Sequence, residues 1–145
     1  MNNYVAEEQW QVVKEPLLEY SSSSSNATTF NIIGACFEVH NQLGSGFSEV
    51  VYKDAMEYEF RQRNNFFERE KKFEVSYKDV ILPHCYFADF VVNGNVIPEV
   101  KAQQGVIEDH YKKVINYLAV SGCQLGLIIN FGEESLKYKR VILTQ

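Results

Sequence analysis

The chain has few cysteines and lacks the short motifs that define several large classes of protein. Its three cysteines are Cys36, Cys85 and Cys123, and no two of them form a CxxC pair. An odd number without such a pair argues against a disulfide framework or a structural zinc site. We expect three buried, apolar thiols in a reducing compartment. A GxxxxGK[ST] or GxGxxG pattern is also absent, so the sequence does not predict a nucleotide-using enzyme.

Long apolar runs and an excess of basic residues are missing too. No run is long enough to span a bilayer, and the N-terminus lacks the basic and apolar segments of a secretory signal. We therefore expect an intracellular protein. The formal net charge of −5 argues against nucleic-acid binding driven by bulk charge. It leaves room for a local basic face, and it also suits a site where several carboxylates hold a metal.

What remains is the composition of one globular domain with an N-terminal appendage. Hydrophobic residues make up 46% of the chain, enough for a real core. Residues 1–27 have apolar positions near helical spacing, interrupted by Pro16, and then the serine run at 21–25. Such a run is typical of a flexible linker. We predict a flexible appendage at residues 1–27, which could be a tail, a partner-binding segment or a flap, and a folded domain at residues 28–145.

From Thr28 onward, the pattern predicts the element order α, α, β, β, β, α, β, β. The first helix is expected to begin with Thr28 as its cap and to stop at Gly44. The second is expected to begin near Phe47, with Ser45 as its cap. The nearly unbroken apolar run "QLGLIINF" predicts a strand covered on both faces. Strands before and after one crossover helix predict a mixed α/β sheet with helices on its faces.

The stretch "YFADFVVNGNVIPEVKAQ", residues 86–103, predicts two strands joined by a turn. Side chains alternate between the faces of a strand, so Ile97, Glu99 and Lys101 share one face. The opposite face of this strand is wholly apolar. We therefore expect the apolar face to pack against the core and the charged face to lie at the surface.

The position of Asp89 depends on the length of the turn. A two-residue loop, which the pair Asn93–Gly94 favours, puts Asp89 on the face away from Glu99. A three-residue loop or a bulge puts both carboxylates on one face. Such a loop pairs either Val92 with Val96 or Val91 with Asn95. A site shared by the two carboxylates therefore predicts the three-residue loop.

Two carboxylates that lie close together repel each other unless a cation lies between them. Oxygen ligands select Mg²⁺ or Mn²⁺, so we predict such an ion between Asp89 and Glu99, with the Val100 carbonyl as a third ligand. Lys101 could orient and help deprotonate a water, or stabilise charge on a phosphoryl group. The spacing alone is more often a solvated strand face with a Glu–Lys pair.

Two motifs together resemble a known family. The D…ExK spacing of the hairpin, with a helix before it and a helix after it, resembles the PD-(D/E)XK nuclease superfamily. The segment "GFSEVVY" has Gly46, Glu49 and Tyr52 at GxxExxY spacing, and "IIGACFEVHNQLGSG" precedes and overlaps it. These segments resemble the GxxExxY protein family, a branch of that superfamily, from about residue 30 to residue 143.

The resemblance implies a PD-(D/E)XK nuclease-like domain at residues 28–145, with an αβββαβ restriction-endonuclease-like core. It also implies an active site of Asp89, Glu99 and Lys101, with Glu49 reaching in from its helix as a further metal-site carboxylate. The first turn of a helix favours a carboxylate, although a plain glutamate is common there too. By the same resemblance, the candidate supporting residues are Glu38, His40, Tyr52, His110 and Lys113.

Three positions depart from the pattern of the family. Phe87 replaces the usual arginine before Ala-Asp, and Pro98 precedes Glu99, which is unusual. Lys113 replaces a glutamine of the later helix. It could contact a phosphate instead, or the lost glutamine could weaken catalysis.

The first function predicted is metal-dependent hydrolysis of phosphodiester bonds in nucleic acid, either DNA or RNA. The alternative is a non-catalytic nucleic-acid or protein interaction module on a nuclease-like scaffold, since fold does not imply function. Steep salt sensitivity is expected if basic residues hold phosphates. The candidate contacts, each also an ordinary solvated position, are Arg61, Arg63, Lys71, Lys72, Lys112, Lys113, Lys137, Lys139 and Arg140.

Overall fold

The computed structural model describes residues 10–14, 24–106 and 108–143. The elements are β1 (Trp10–Lys14), α1 (Ser24–Leu43), α2 (Glu49–Gln62), β2 (Phe67–Tyr77), β3 (Val80–Val92), β4 (Val96–Lys101), α3 (Glu108–Ser121), β5 (Leu125–Asn130) and β6 (Lys137–Leu143). From residue 24 onward their order is α, α, β, β, β, α, β, β, which confirms the predicted order.

The strands form a six-stranded sheet in the order β1-β6-β5-β4-β3-β2. β4 and β5 run parallel, with Glu99 opposite Ile128, and the other neighbours are antiparallel. Parallel neighbours need a long crossover, and α3 supplies it. The sheet is therefore mixed, and the predicted α/β class with an αβββαβ core is confirmed.

Helices cover both faces of the sheet and create two apolar layers. One layer packs α1 and α2 against the sheet and includes Tyr52 and Val100. The other packs α3 against the opposite face and includes Ile97 and Leu118. Every residue of β5 is buried, so the prediction of a strand covered on both faces is confirmed.

The structure describes two parts of the predicted N-terminal appendage. Residues 10–14 form β1, which pairs with β6 at the edge of the sheet. α1 begins at Ser24, and the Thr29 hydroxyl donates a hydrogen bond to the Ser25 carbonyl over 2.7 Å. The linker prediction is therefore wrong for the last two serines, since serine is well tolerated at the start of a helix. The rest of the appendage lies outside the described residues, and the domain boundary stays a prediction.

The junction between α1 and α2 is a tight turn that begins at Gly44. Gly44 and Gly46 have φ of 70° and 115°, values that favour glycine. α2 begins at Glu49 with Ser48 as its N-cap, later than predicted. The positive φ of Gly46 keeps the backbone out of the right-handed helical region, so the predicted cap at Ser45 is wrong.

None of the helices described here is long and apolar enough to cross a membrane. Cys36 is buried, as predicted, and burial raises the pKa of its thiol. Cys85 and Cys123 are partly exposed, so the prediction of burial is wrong for them. Cys85 lies on a part of β3 whose residues are mostly exposed.

Candidate functional site

The turn between β3 and β4 sets the geometry of the candidate site. Val92 pairs with Val96, so the loop is Asn93–Asn95 and the three-residue prediction is confirmed. Asn93 and Gly94 have φ of 52° and 68°, which the tight turn requires. This is the one ladder pair described between the two strands. The region beyond it, where regular pairing stops, is called the gap below.

Asp89 of β3 lies in that gap, and both of its carboxylate oxygens have partners. Oδ2 accepts a hydrogen bond from the Val100 N–H over 2.8 Å. Oδ1 lies 3.1 Å from the Lys53 ammonium group of α2. The N–H and C=O of a strand residue point to the same side, so the Val100 carbonyl faces the gap as well.

Glu99 of β4 lies on the other side of the gap and is 1% exposed. Its Oε2 lies 3.0 Å from the Lys113 Nζ and 3.6 Å from the Lys101 Nζ. Oε1 is buried and finds no hydrogen-bond partner among the residues that the structure describes. Burial, followed by the charge of Asp89, raises the pKa of Glu99 to about 7. The two carboxylates are thus close enough to repel each other.

The prediction that the charged face of β4 lies at the surface is wrong. Ile97 of this face belongs to the apolar layer beneath α3, and the Lys101 side chain is 12% exposed. The carboxylates meet although their ion-pair partners come from opposite faces of the sheet, Lys53 from α2 and Lys113 from α3. A strand pattern shows which residues share a face but not which helix covers it.

Pro98 accounts for the separation of the two strands. The Val100 N–H points toward β3, and residues two apart point the same way. A donor at position 98 would therefore point toward β3, and proline lacks it. The departure from the family pattern removes the hydrogen bond that would extend the β3–β4 ladder and favours the gap that holds Asp89.

Glu49 lies in the first turn of α2, as predicted. Burial lowers the pKa of His110, the Lys101 ammonium group lowers it further, and Glu49 acts in the opposite direction. His110 therefore lies within electrostatic reach of Lys101 and Glu49. The structure brings these three predicted residues to one region.

Tyr52 has a positioning role that the sequence motif did not explain. Its hydroxyl donates to the Gly44 carbonyl and accepts from the Phe47 N–H. Its buried ring stacks on Phe131 at 4.5 Å between centroids. Tyr52 thus ties the glycine turn to α2 and holds the backbone that leads into Glu49.

Glu38 and His40 have contacts of a different kind. Glu38 accepts a hydrogen bond from Gln42 of its own helix. The His40 Nε2 lies 3.0 Å from the Glu133 carbonyl, so this buried ring supports the β5–β6 segment. Their predicted support of Glu49 or approach to a phosphate stays a prediction.

Two residues that contact the site were not predicted as site residues. Lys53 lies four positions after Glu49, on the same side of α2, and helical spacing could have identified it. The Tyr117 hydroxyl donates to the Phe87 carbonyl over 2.9 Å. Burial, followed by the charge of Glu99, raises the pKa of Tyr117 to about 12. The Phe87 side chain itself is 52% exposed.

The donor set fits a divalent cation in its chemistry. No group of three or more His, Cys, Asp and Glu side chains with metal-binding geometry occurs in residues 24–106 and 108–143. The candidate ligands are instead two carboxylates, Asp89 and Glu99, and the Val100 carbonyl. An all-oxygen set suits Mg²⁺ or Mn²⁺, and the unpartnered Glu99 Oε1 is a buried acceptor that a cation would satisfy.

Several candidate phosphate contacts already have acidic or aromatic neighbours. Arg61 and Arg63 lie 3.1 and 3.6 Å from glutamates one turn earlier, and Lys71 lies 2.7 Å from Glu68. Lys139 lies over the Tyr111 ring. A role in phosphate binding stays a prediction for all the basic residues named above.

Comparisons with known proteins concern the family and the fold of this chain. A family model described as the PD-(D/E)XK nuclease superfamily matches residues 26–141. A search of curated proteins found no match. The crystal structure of SSO0001 is similar to 66% of this chain, with a TM-score of 0.53 and 14% sequence identity. This chain spans 50% of that chain, and the likeness supports the fold alone.

Proposed function

We propose that this chain, which belongs to the PD-(D/E)XK nuclease superfamily, hydrolyses phosphodiester bonds of nucleic acid with a divalent metal ion. The observation that carries the proposal is Glu99, a buried carboxylate beside Asp89 with one oxygen that has no partner among the described residues. A buried charge is costly unless it is paired or binds a metal. A cation in the gap would neutralise both carboxylates.

Asp89, Glu99 and the Val100 carbonyl would hold Mg²⁺ or Mn²⁺, with Glu49 as a further carboxylate. The ion would stabilise the charge that develops on the phosphoryl group and lower the pKa of a water. Asp89 is already oriented for this role by the Val100 N–H. Such orientation before binding reduces the cost of assembling a site.

Lys101 would orient the attacking water and stabilise negative charge at the reacting phosphate. Its side chain is largely buried and lies 3.6 Å from Glu99. Fixed charges act more strongly in a site that excludes water. His110 lies within electrostatic reach of Lys101 and belongs to the same proposed site as a supporting residue.

The GxxExxY branch is part of the proposal. It is supported by Tyr52, whose hydroxyl bridges Gly44 and Phe47 just before Glu49. This contact provides a physical reason for a tyrosine three positions after the glutamate. A nucleic-acid substrate is proposed from the superfamily, and Lys113, which is 47% exposed, is the candidate phosphate contact nearest Glu99.

Calorimetry and cleavage assays would test the proposal together. Wild-type protein and the Asp89→Asn and Glu99→Gln variants are titrated with Mn²⁺ and Mg²⁺, then incubated with single- and double-stranded DNA and RNA. We expect metal binding and cleavage in the wild type and a loss of both in each variant. Equal cleavage with and without a chelator would contradict metal dependence.

One observation favours the alternative, a non-catalytic interaction module. Lys53 and Lys113 already pair with Asp89 and Glu99, so the site is partly charge-compensated by the protein itself. An intact fold that binds nucleic acid but no metal would favour the module. The salt dependence of that binding would then report how many phosphates the basic residues contact.

A further inference from the structure

Lys53 is a cation whose position coincides with the proposed metal site. Its ammonium group lies 3.1 Å from Asp89 Oδ1 and 2.6 Å from Glu70 Oε1. The side chain is 14% exposed, so the contact with Asp89 is only weakly screened by solvent. The two carboxylates within salt-bridge distance favour the charged form of Lys53.

We propose that Lys53 is the internal counter-ion of Asp89 and competes with the metal ion for this carboxylate. The inference rests on the proposed function, because it takes Asp89 as a metal ligand. Lys53 acts through Asp89 and is a positioning residue. The Lys53 ammonium group neutralises the Asp89 carboxylate when no metal is bound. Because this ion pair must break when Asp89 binds a metal ion, it also weakens metal binding.

Glu70 makes the exchange feasible. Its position on β2 is opposite Asp89, between the register pairs Arg69–Phe90 and Lys71–Ala88. Its carboxylate, which is half exposed, holds the shorter of the two bonds to Lys53. When a metal ion binds Asp89, the Lys53 ammonium group keeps its ion pair with Glu70. Metal binding then avoids leaving a buried, unpaired lysine, which would be costly.

The geometry predicts opposite effects on the protein without and with metal. Lys53→Met leaves Asp89 without its cation and should lower the melting temperature of the metal-free protein. The same change removes the competitor, so the Mn²⁺ dissociation constant should fall about tenfold, the size expected when a charged hydrogen bond is lost. The increase in melting temperature on adding Mn²⁺ should consequently be larger than in wild type.

Calorimetric titration with Mn²⁺ tests this on the full chain. Lys78→Met is the matched control, because it removes the same charge from an exposed lysine at the turn that closes the β2–β3 hairpin, where Tyr77 pairs with Val80. Lys53→Arg keeps the positive charge. We expect both to bind Mn²⁺ within about twofold of wild type, since neither removes the charge beside Asp89. Tighter binding by Lys53→Met alone would support the inference.

The outcomes separate this inference from the proposed function. Equal metal affinity in wild type and Lys53→Met would overturn the counter-ion role and leave the proposed nuclease function intact. Absence of binding in both would overturn both ideas. A second measurement uses the wild type alone and so does not depend on whether a variant folds. In the NMR spectrum of lysine-labelled protein, Mg²⁺ should shift the resonance of the Lys53 ammonium group. An unchanged resonance at saturating Mg²⁺ would overturn the competition.

Discussion

The two sides of the gap between β3 and β4 treat similar carboxylates differently. On the α2 side, Asp89 receives a backbone N–H and a lysine ammonium group, so each oxygen has a partner. On the α3 side, Glu99 is more deeply buried and keeps one oxygen without a partner among the described residues. The pKa of Glu99 rises to about 7 because burial disfavours its charged form.

One carboxylate of the site is thus fully hydrogen-bonded, whereas the other has two lysine neighbours and one oxygen without a partner among the described residues. The Asp89 side is held by the fold, since the missing donor of Pro98 leaves room for the Asp89 carboxylate, which accepts a hydrogen bond from the Val100 N–H. The Glu99 side remains costly until a cation binds. A protein can tolerate such a cost at a functional site in exchange for activity.

The largest expected effect is on the cleavage rate, and it comes from a substitution on the Glu99 side of the gap. Lys101→Met should slow metal-dependent cleavage by roughly 10²- to 10³-fold, the loss typical when one group that stabilises transition-state charge is removed. Initial rates at saturating Mn²⁺ measure the loss. Lys78→Met, on an exposed lysine at the turn between β2 and β3, is the control and should cleave at the wild-type rate. Full activity of the Lys101 variant would contradict its role.

The second effect is on stability, and its dependence on pH tests the electrostatic difference between the two carboxylates. The pKa of Glu99 is about 7 in the fold, against an ordinary value of 4.5. Ionised Glu99 therefore lowers the free energy of unfolding of the metal-free protein, by roughly 3 kcal/mol above pH 7. The cost is absent below about pH 4.5 and grows as the pH rises to about 7. Glu99→Gln should therefore raise the stability of the metal-free protein at pH 8 and have little such effect near pH 4.5.

Urea denaturation of both proteins at the two pH values measures this difference. Mn²⁺ should stabilise the wild type at pH 8 and stabilise Glu99→Gln much less. A lower stability of the variant at pH 8 without metal would show that the contacts of Glu99 with Lys113 and Lys101 outweigh the cost of its burial. Asp89→Asn, which breaks a well-partnered carboxylate, provides the contrasting measurement and should lose stability.

The smallest expected effect is on the stability of the turn that joins α1 to α2. Tyr52→Phe removes the hydroxyl that bridges Gly44 and Phe47 and should destabilise the fold by about 1–3 kcal/mol. Tyr58→Phe, on an exposed tyrosine of the same helix, is the matched control and should change stability little. Thermal melts compare the two, and equal melting temperatures would refute the positioning role of Tyr52.

Much of the fold was predictable because its signals are local. The α-α-β-β-β-α-β-β order follows from hydrophobic periodicity and the glycine stops of the helices. The three-residue turn was predicted against the usual preference of Asn-Gly, from the need to bring Asp89 to Glu99. The start of α2 was missed because Ser45 and Ser48 are equally favoured as caps, and the positive φ of Gly46 decides between them.

The candidate site was predictable in its residues but not in its environment. Strand alternation correctly separated Glu99 and Lys101 from the core-facing Val100, yet it could not show that α3 covers them. Lys53 and Glu70, distant in sequence from Asp89, become its neighbours only when α2 and β2 pack beside β3.

The sequence by itself determined the order of the helices and strands from residue 24 onward and the residue types gathered at the gap, because these follow from patterns along the chain. The turn register followed from the chemistry of the predicted site, since the local preference of Asn-Gly was for the shorter loop. Tertiary structure alone decided which carboxylate has a partner for each oxygen and which is buried with one oxygen that has no partner among the described residues. Burial and ion pairing depend on side chains from separate helices, and these meet only after the sheet has been covered on both faces.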